Sequence, residues 1–188
     1  MKKNLGLVLV LLCASIATAN PAARPAAIAV SVISLLAWNP VRLTGVGLDY
    51  GLDGDFTRTR LLALWDLPNP LQHLGPLTLS GQLELAMGQT GPSPPDLTLG
   101  LTPVLAWRWA NHRWAPFIET GLGINYINLT KNRDRTLSTH FQFGEILGIA
   151  MEYRQLKLGL RFQHISNAGM VVPNDGYNFY GAVINYRY

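Results

Sequence analysis

From Val41 onward the sequence falls into runs of about ten residues in which apolar and polar side chains tend to alternate one for one, and this rhythm constrains the fold more than any other feature. The runs lie at 41–50, 58–67, 77–88, 97–109, 114–127, 139–153, 156–166 and 177–188. Between them stand clusters that oppose helix, among them Gly51-Leu52-Asp53-Gly54-Asp55, Pro68-Asn69-Pro70 and Gly91-Pro92-Ser93-Pro94-Pro95-Asp96. A period of two sends successive side chains to opposite faces of a strand, whereas a helix needs apolar residues at i, i+3, i+4 and i+7. In 156–166 one face carries Leu156, Leu158, Leu160, Phe162, His164 and Ser166, and the other Lys157, Gly159, Arg161, Gln163 and Ile165. In 116–126, Ile118, Leu122, Ile124 and Tyr126 lie opposite Phe117, Glu119, Gly121, Gly123 and Asn125, and in 97–105 the apolar face is Leu97, Leu99, Leu101, Pro103 and Leu105.

A soluble sandwich alternates in the same way, so other features choose between the two. Strands of about 9–11 residues suit a tilted membrane crossing. An even number of them, polar on one face and apolar on the other, fits a barrel whose closure removes every sheet edge. Tyr50, Trp65, Trp107, Trp109, Trp114, Tyr126 and Tyr153 gather near strand ends, where an interfacial girdle would sit. Charged residues make up only 14% of the chain, well under the ~25% of soluble domains. The last residues, Tyr180 to Tyr188, alternate up to a terminal aromatic and resemble the sorting signature of bacterial outer-membrane proteins. The expectation is therefore an all-β, eight-stranded antiparallel transmembrane β-barrel of the bacterial outer membrane over residues 41–188. Barrels of this size have interiors filled by side chains, which disfavours a diffusion pore and makes Glu84, Arg108, Glu119 and Arg161 paired structural charges.

Residues 1–19 read as a secretory signal peptide: Lys2 and Lys3, the apolar Leu5–Leu12, then Ala17-Thr18-Ala19 before the cleavage point. Residues 20–40 form an N-terminal segment of uncertain structure. Without the signal the chain holds 13 basic and 11 acidic residues, a net +2, and no cysteine. No basic run interleaved with aromatics suggests a nucleic-acid partner. His73, His112 and His140 are scattered, which argues against a metal site, and no glycine-rich phosphate loop is present. No cofactor is implied.

The chemistry concentrates in His164-Ile165-Ser166-Asn167-Ala168-Gly169 and Pro173-Asn174-Asp175-Gly176. His164 and Ser166 are two apart, so a strand points both to one face, and a neutral imidazole there can take the hydroxyl proton as the oxygen attacks. They continue the lipid-facing side of 156–166, where polar groups are costly. With both termini periplasmic, strand seven ends at the outer leaflet, whose lipid in a Gram-negative cell is lipopolysaccharide. The short links Ala110–Arg113 and Arg154–Gln155 then fall on the periplasmic side, while 128–138 and 167–176 are longer external loops and Pro68–Pro76 is an exception to the pattern of short inner turns.

These two motifs, together with Pro116-Phe117-Ile118-Glu119-Thr120-Gly121-Leu122-Gly123, resemble the lipid A 3-O-deacylase family, the PagL-type outer-membrane acyl hydrolases, over about residues 41–188. The resemblance implies Ser166 as nucleophile, His164 as general base, and Asn167 with the backbone around Gly169 as stabilisers of the oxyanion. It also implies lipid A as substrate. One position departs from the family pattern: Asn178 stands where a glutamate is expected, two residues beyond the Pro-Asn-Asp-Gly glycine. An amide can orient the imidazole but cannot balance its charge as a carboxylate does. Asn178 shares the outward parity of Tyr180 and Ala182. Glu145, on strand six, is the alternative third member, unless a bulge turns it inward into an ion pair. Asp175 is better explained as a turn residue.

The function expected from the sequence is a serine esterase hydrolysing an ester-linked (3-O) acyl chain of lipid A at the outer leaflet. The alternatives are a non-enzymatic small barrel, structural or adhesive, and an esterase or phospholipase acting on another lipid.

Overall fold

The computed structural model describes residues 42–68, 70–91, 96–109 and 114–188. The signal-peptide and 20–40 assignments lie outside these residues. Eight long strands run in chain order: β1 Gly45–Asp53, β2 Phe56–Asp66, β3 Leu77–Thr90, β4 Asp96–Trp109, β5 Ala115–Ile127, β6 Phe141–Tyr153, β7 Leu156–Ser166 and β8 Tyr177–Arg187. Each pairs antiparallel with its neighbour in sequence, and β8 pairs back onto β1, from Gly45↔Arg187 to Leu52↔Tyr180. The result is a closed eight-stranded antiparallel transmembrane barrel. Closure matters because lipid offers no partner to a free backbone edge.

The eight runs match the eight strands with small shifts at the ends. The clearest shift is at Gly51–Asp55, expected as a loop: β1 continues through Asp53, and Asp53↔Phe56 closes a hairpin over only Gly54 and Asp55. Gly54 takes φ +58°, which lets the turn be this tight. The long Pro68–Pro76 link also carries strand. Gln72–Leu74 folds back on β3, pairing Gln72↔Leu79 to Leu74↔Leu77. Pro103 has no N–H to give to a ladder, and the β4–β5 pairing skips from Leu101↔Ile124 to Val104↔Gly121 across it.

Side chains sort by parity as the alternation requires. Leu160 (63% exposed), Leu122 and Ile149 face outward, while Arg161, Gln163 and Glu119 are buried inside. Trp114 and Tyr153 stack at 4.5 Å near the end that carries Gly45 and Arg187. Arg161 lies at the centre of the interior. Its guanidinium donates to Glu84 at 3.0 Å and to Glu119 at 2.8 Å, and lies 3.6 Å from Asp49. Lys157 completes the Glu119 pair, and Arg58 and Arg60 complete Asp49. A second network, Arg108–Glu152–Arg187–Asp66, lines a cavity of about 490 Å³. The expected inward charges, Glu84, Arg108, Glu119 and Arg161, are therefore all paired. Toward the opposite end the interior becomes apolar, with Phe56, Ile127, Leu137, Ile165, Tyr177 and Phe179 forming one buried cluster. That plug supports the strand ends on which the polar motifs lie.

Candidate active site

The last residues of β7 and the first of β8 come together at the end of the barrel away from Gly45 and Arg187. His164 pairs directly across the ladder with Asn178, and on its other side with Glu145 of β6. The alternation that buries Gln163 and Ile165 turns His164 and Ser166 outward, where both are half-buried. His164 Nε2 lies 3.0 Å from Ser166 Oγ, and Nδ1 lies 2.8 Å from Asn178 Oδ1. With an amide oxygen facing Nδ1, that nitrogen carries the ring proton, and the Nε2 lone pair accepts from the serine hydroxyl. Serine, imidazole and carboxamide thus form one hydrogen-bonded line, all from a single hairpin.

Glu145 takes the same register row but plays no part in that line. It is exposed on the outer face, and among the described residues its carboxylate forms no hydrogen bond or ion pair. The inward bulge considered for it does not occur, because β6 keeps strict alternation from Phe141 to Ile149. Asp175 belongs to the loop: its carboxylate accepts from Thr136 N at 2.6 Å, and its own N–H donates to Thr136 O.

Asn167 lies elsewhere than the expected oxyanion position. It is fully buried, and its Nδ2 donates to Leu137 O at 2.9 Å and Val171 O at 2.7 Å. The signal that places it inward is the parity of Gln163 and Ile165, which it continues past the end of β7. Its role here is to tie loop 167–176 to loop 128–140. The backbone beyond it is different. Ala168 (φ +55°) and Gly169 (φ +75°) turn left-handed in succession, and Ala168 N lies 3.4 Å from Ser166 Oγ. Asn174 was part of the sequence motif without a role of its own. Its Oδ1 accepts from Asn167 N at 3.2 Å, and among the described residues its NH₂ has no partner.

Gly176 is required where it stands. Its φ is +64°, and a Cβ would approach Ile165 O to 2.9 Å and both His164 Cε1 and Ser166 Cβ to 3.5 Å. The loop itself is braced: Ser138 Oγ donates to Pro173 O at 2.6 Å, and Arg135 donates to Gly176 O at 2.8 Å. On the outer surface, beginning one outward position below His164 and Asn178 at Phe162 and Tyr180, lies an apolar groove of about 580 Å³. Leu160, Phe162, Leu147, Tyr180 and Ala182 line it. Among the described residues no group of three His, Cys, Asp or Glu is placed to hold a metal ion.

A family model described as "Lipid A 3-O-deacylase (PagL)" matches residues 45–187. A curated relative from Pseudomonas aeruginosa, named lipid A deacylase PagL, is 32% identical over 84 residues, 44% of this chain and 49% of that one, so the alignment spans about half of that relative. The protein of the same name from Bordetella bronchiseptica is 28% identical over 154 residues, 77% of this chain and 83% of that one. A crystal structure of the outer membrane enzyme PagL superposes with a TM-score of 0.72 at 25% identity, covering 77% of this chain and 99% of that one.

Proposed function

This chain belongs to the lipid A 3-O-deacylase family, and from that premise we propose that it is a serine esterase that removes the ester-linked 3-O acyl chain of lipid A in the outer leaflet. The observation that carries this reading is the line Ser166–His164–Asn178 on the outward side of the barrel.

Ser166 Oγ attacks the ester carbonyl while its proton passes to His164 Nε2. The resulting imidazolium keeps its Nδ1–H on Asn178 Oδ1, which holds the ring plane but contributes no charge. The tetrahedral oxygen is received by the left-handed backbone at Ala168 and Gly169, with the free NH₂ of Asn174 as the side-chain donor; each such donor is worth ~10²–10³ in rate. His164 then returns the proton to the departing lipid A hydroxyl, and the acyl group stays on Ser166. Water, deprotonated by the same imidazole, releases it as a fatty acid and restores the enzyme. The apolar groove below Ser166 suits the acyl chain, since its walls continue the lipid-facing surface. In this reading the end with His164 faces outward, residues 1–19 direct export, and the substrate reaches the site from within its own leaflet.

The test is expression in a Gram-negative outer membrane with lipid A followed by mass spectrometry. The expected result is loss of one hydroxyacyl chain, abolished by Ser166→Ala. Unchanged lipid A from a folded, correctly oriented barrel would defeat the proposal. Release of fatty acid from phospholipid instead would move the substrate to another lipid.

A further inference from the structure

We propose that Asp53 and Arg135 are positioning residues for the reaction, fixing the main chain at Asn178 so that its amide stays within hydrogen-bond reach of His164. The inference rests on the reading of Ser166 and His164 as the catalytic pair.

The β1–β8 ladder stops at Leu52↔Tyr180. Two residues further along β8, the N–H of Asn178 finds no strand beside it. The Asp53 carboxylate takes the place of the missing ladder: Asn178 N donates to Asp53 Oδ2 at 2.8 Å, across 125 residues of sequence. Asp53 is itself held by a fork. Arg135 Nη1 donates to Oδ2 at 3.0 Å and Nη2 to Oδ1 at 3.2 Å, while Nη1 also reaches Gly176 O at 2.8 Å. The guanidinium lies over the rings of Phe56 at 5.3 Å and Tyr177 at 5.5 Å, so the apolar plug limits where it can move. One arginine from loop 128–140 thus joins the tip of β1 to the start of β8. A lysine could not do so, because it lacks the planar fork that meets both carboxylate oxygens and a carbonyl together.

Such a clamp has a chemical reason in this chain. A carboxylate at 178 would be drawn to the imidazolium by charge, and either oxygen would serve. A carboxamide has one acceptor oxygen and no net charge. Rotated by half a turn it presents NH₂ to Nδ1, which stabilises the tautomer with the proton on Nε2, and that tautomer cannot accept from Ser166. Without that charge attraction the amide keeps its contact with Nδ1 only if the main chain beneath it is held, and Asp53 and Arg135 hold it through the Asn178 N–H.

The experiment measures kcat and KM for lipid A with the folded protein, checking the barrel by its resistance to unfolding in cold SDS. Asp53→Ala is expected to lower kcat about 10- to 100-fold, with KM little changed, since small misplacements of a catalytic group cost that much. Asp53→Asn retains an acceptor oxygen and is expected to recover part of the loss. Arg135→Lys is expected to fall between wild type and Asp53→Ala. In an Asn178→Glu background the Asp53→Asn effect should shrink to within about threefold, the signature of coupled sites in a double-mutant cycle. Full kcat in folded Asp53→Ala, or a loss that appears in KM alone, would overturn the proposal. So would equal losses in both backgrounds. If Asp53→Ala does not fold, the near-isosteric Asp53→Asn and Arg135→Lys carry the same comparison. Ser166→Ala is run in parallel: activity surviving there defeats the esterase reading, whereas its loss beside an unaffected Asp53 series defeats only the positioning role.

Discussion

Strand β7 presents two polar sites, one on each face, built on opposite principles. Inward, Arg161 is wholly buried among Glu84, Glu119 and Asp49. Outward and three residues on, His164 lies between a hydroxyl and an amide, all half-buried and none a carboxylate or permanent cation. The interior uses full charges, because paired ions fill a barrel that water does not reach freely. The outward line of Ser166, His164 and Asn178 is built without full charge, which lipid penalises, and keeps groups whose protons can move, although the exposed Glu145 stands in the same row. The difference separates what holds the barrel from the chemistry we propose for it.

Three substitutions probe that division. The largest effect is expected from His164→Ala: about 10²–10⁴ lost in turnover, with the unfolding temperature unchanged, measured by fatty-acid release alongside heat-induced unfolding on SDS gels. Arg161→Ala should behave in the reverse way. Leaving Glu84, Glu119 and Asp49 without their shared cation should cost about 3–5 kcal/mol of stability, read from the urea midpoint, while molecules that remain folded keep their kcat. If Arg161→Ala abolishes turnover in a fully folded barrel, the two faces are not independent. The smallest effect belongs to Glu145→Gln, expected to change kcat less than about threefold, because an exposed group without partners is rarely worth more than ~0.5 kcal/mol. A large loss there would mean that Glu145 reaches the imidazole during the reaction and would reopen the choice of third member.

Most of the barrel was legible because its signal is local. Alternation within 97–105 or 156–166 needs no knowledge of neighbours, and the same parity placed His164, Ser166 and Asn178 on one face. Asn167 was legible by the same rule, since it continues the inward series of Gln163 and Ile165. The motif led instead to an oxyanion role, and the structure spends the amide on Leu137 O and Val171 O. What the sequence could not supply was register across the ring. Which acids meet Arg161 depends on how far each strand is staggered against the next. The fork from Arg135 to Asp53 spans 82 residues and joins a loop to the tip of a strand that no periodicity relates to it. Strand ends were also out of reach at Gly51–Asp55, where glycines and aspartates read as a five-residue loop although only Gly54 and Asp55 turn.

The pairing of β8 with β1 has a consequence for the life of the molecule before it reaches its membrane. His164, Ser166 and Asn178 come from the last hairpin of the chain, but the carboxylate that receives the Asn178 N–H comes from the tip of the first strand. The two meet only when β8 pairs with β1 and the ring is closed. In the proposed reading, a chain whose ring is still open has Ser166 and His164 without the clamp that positions Asn178.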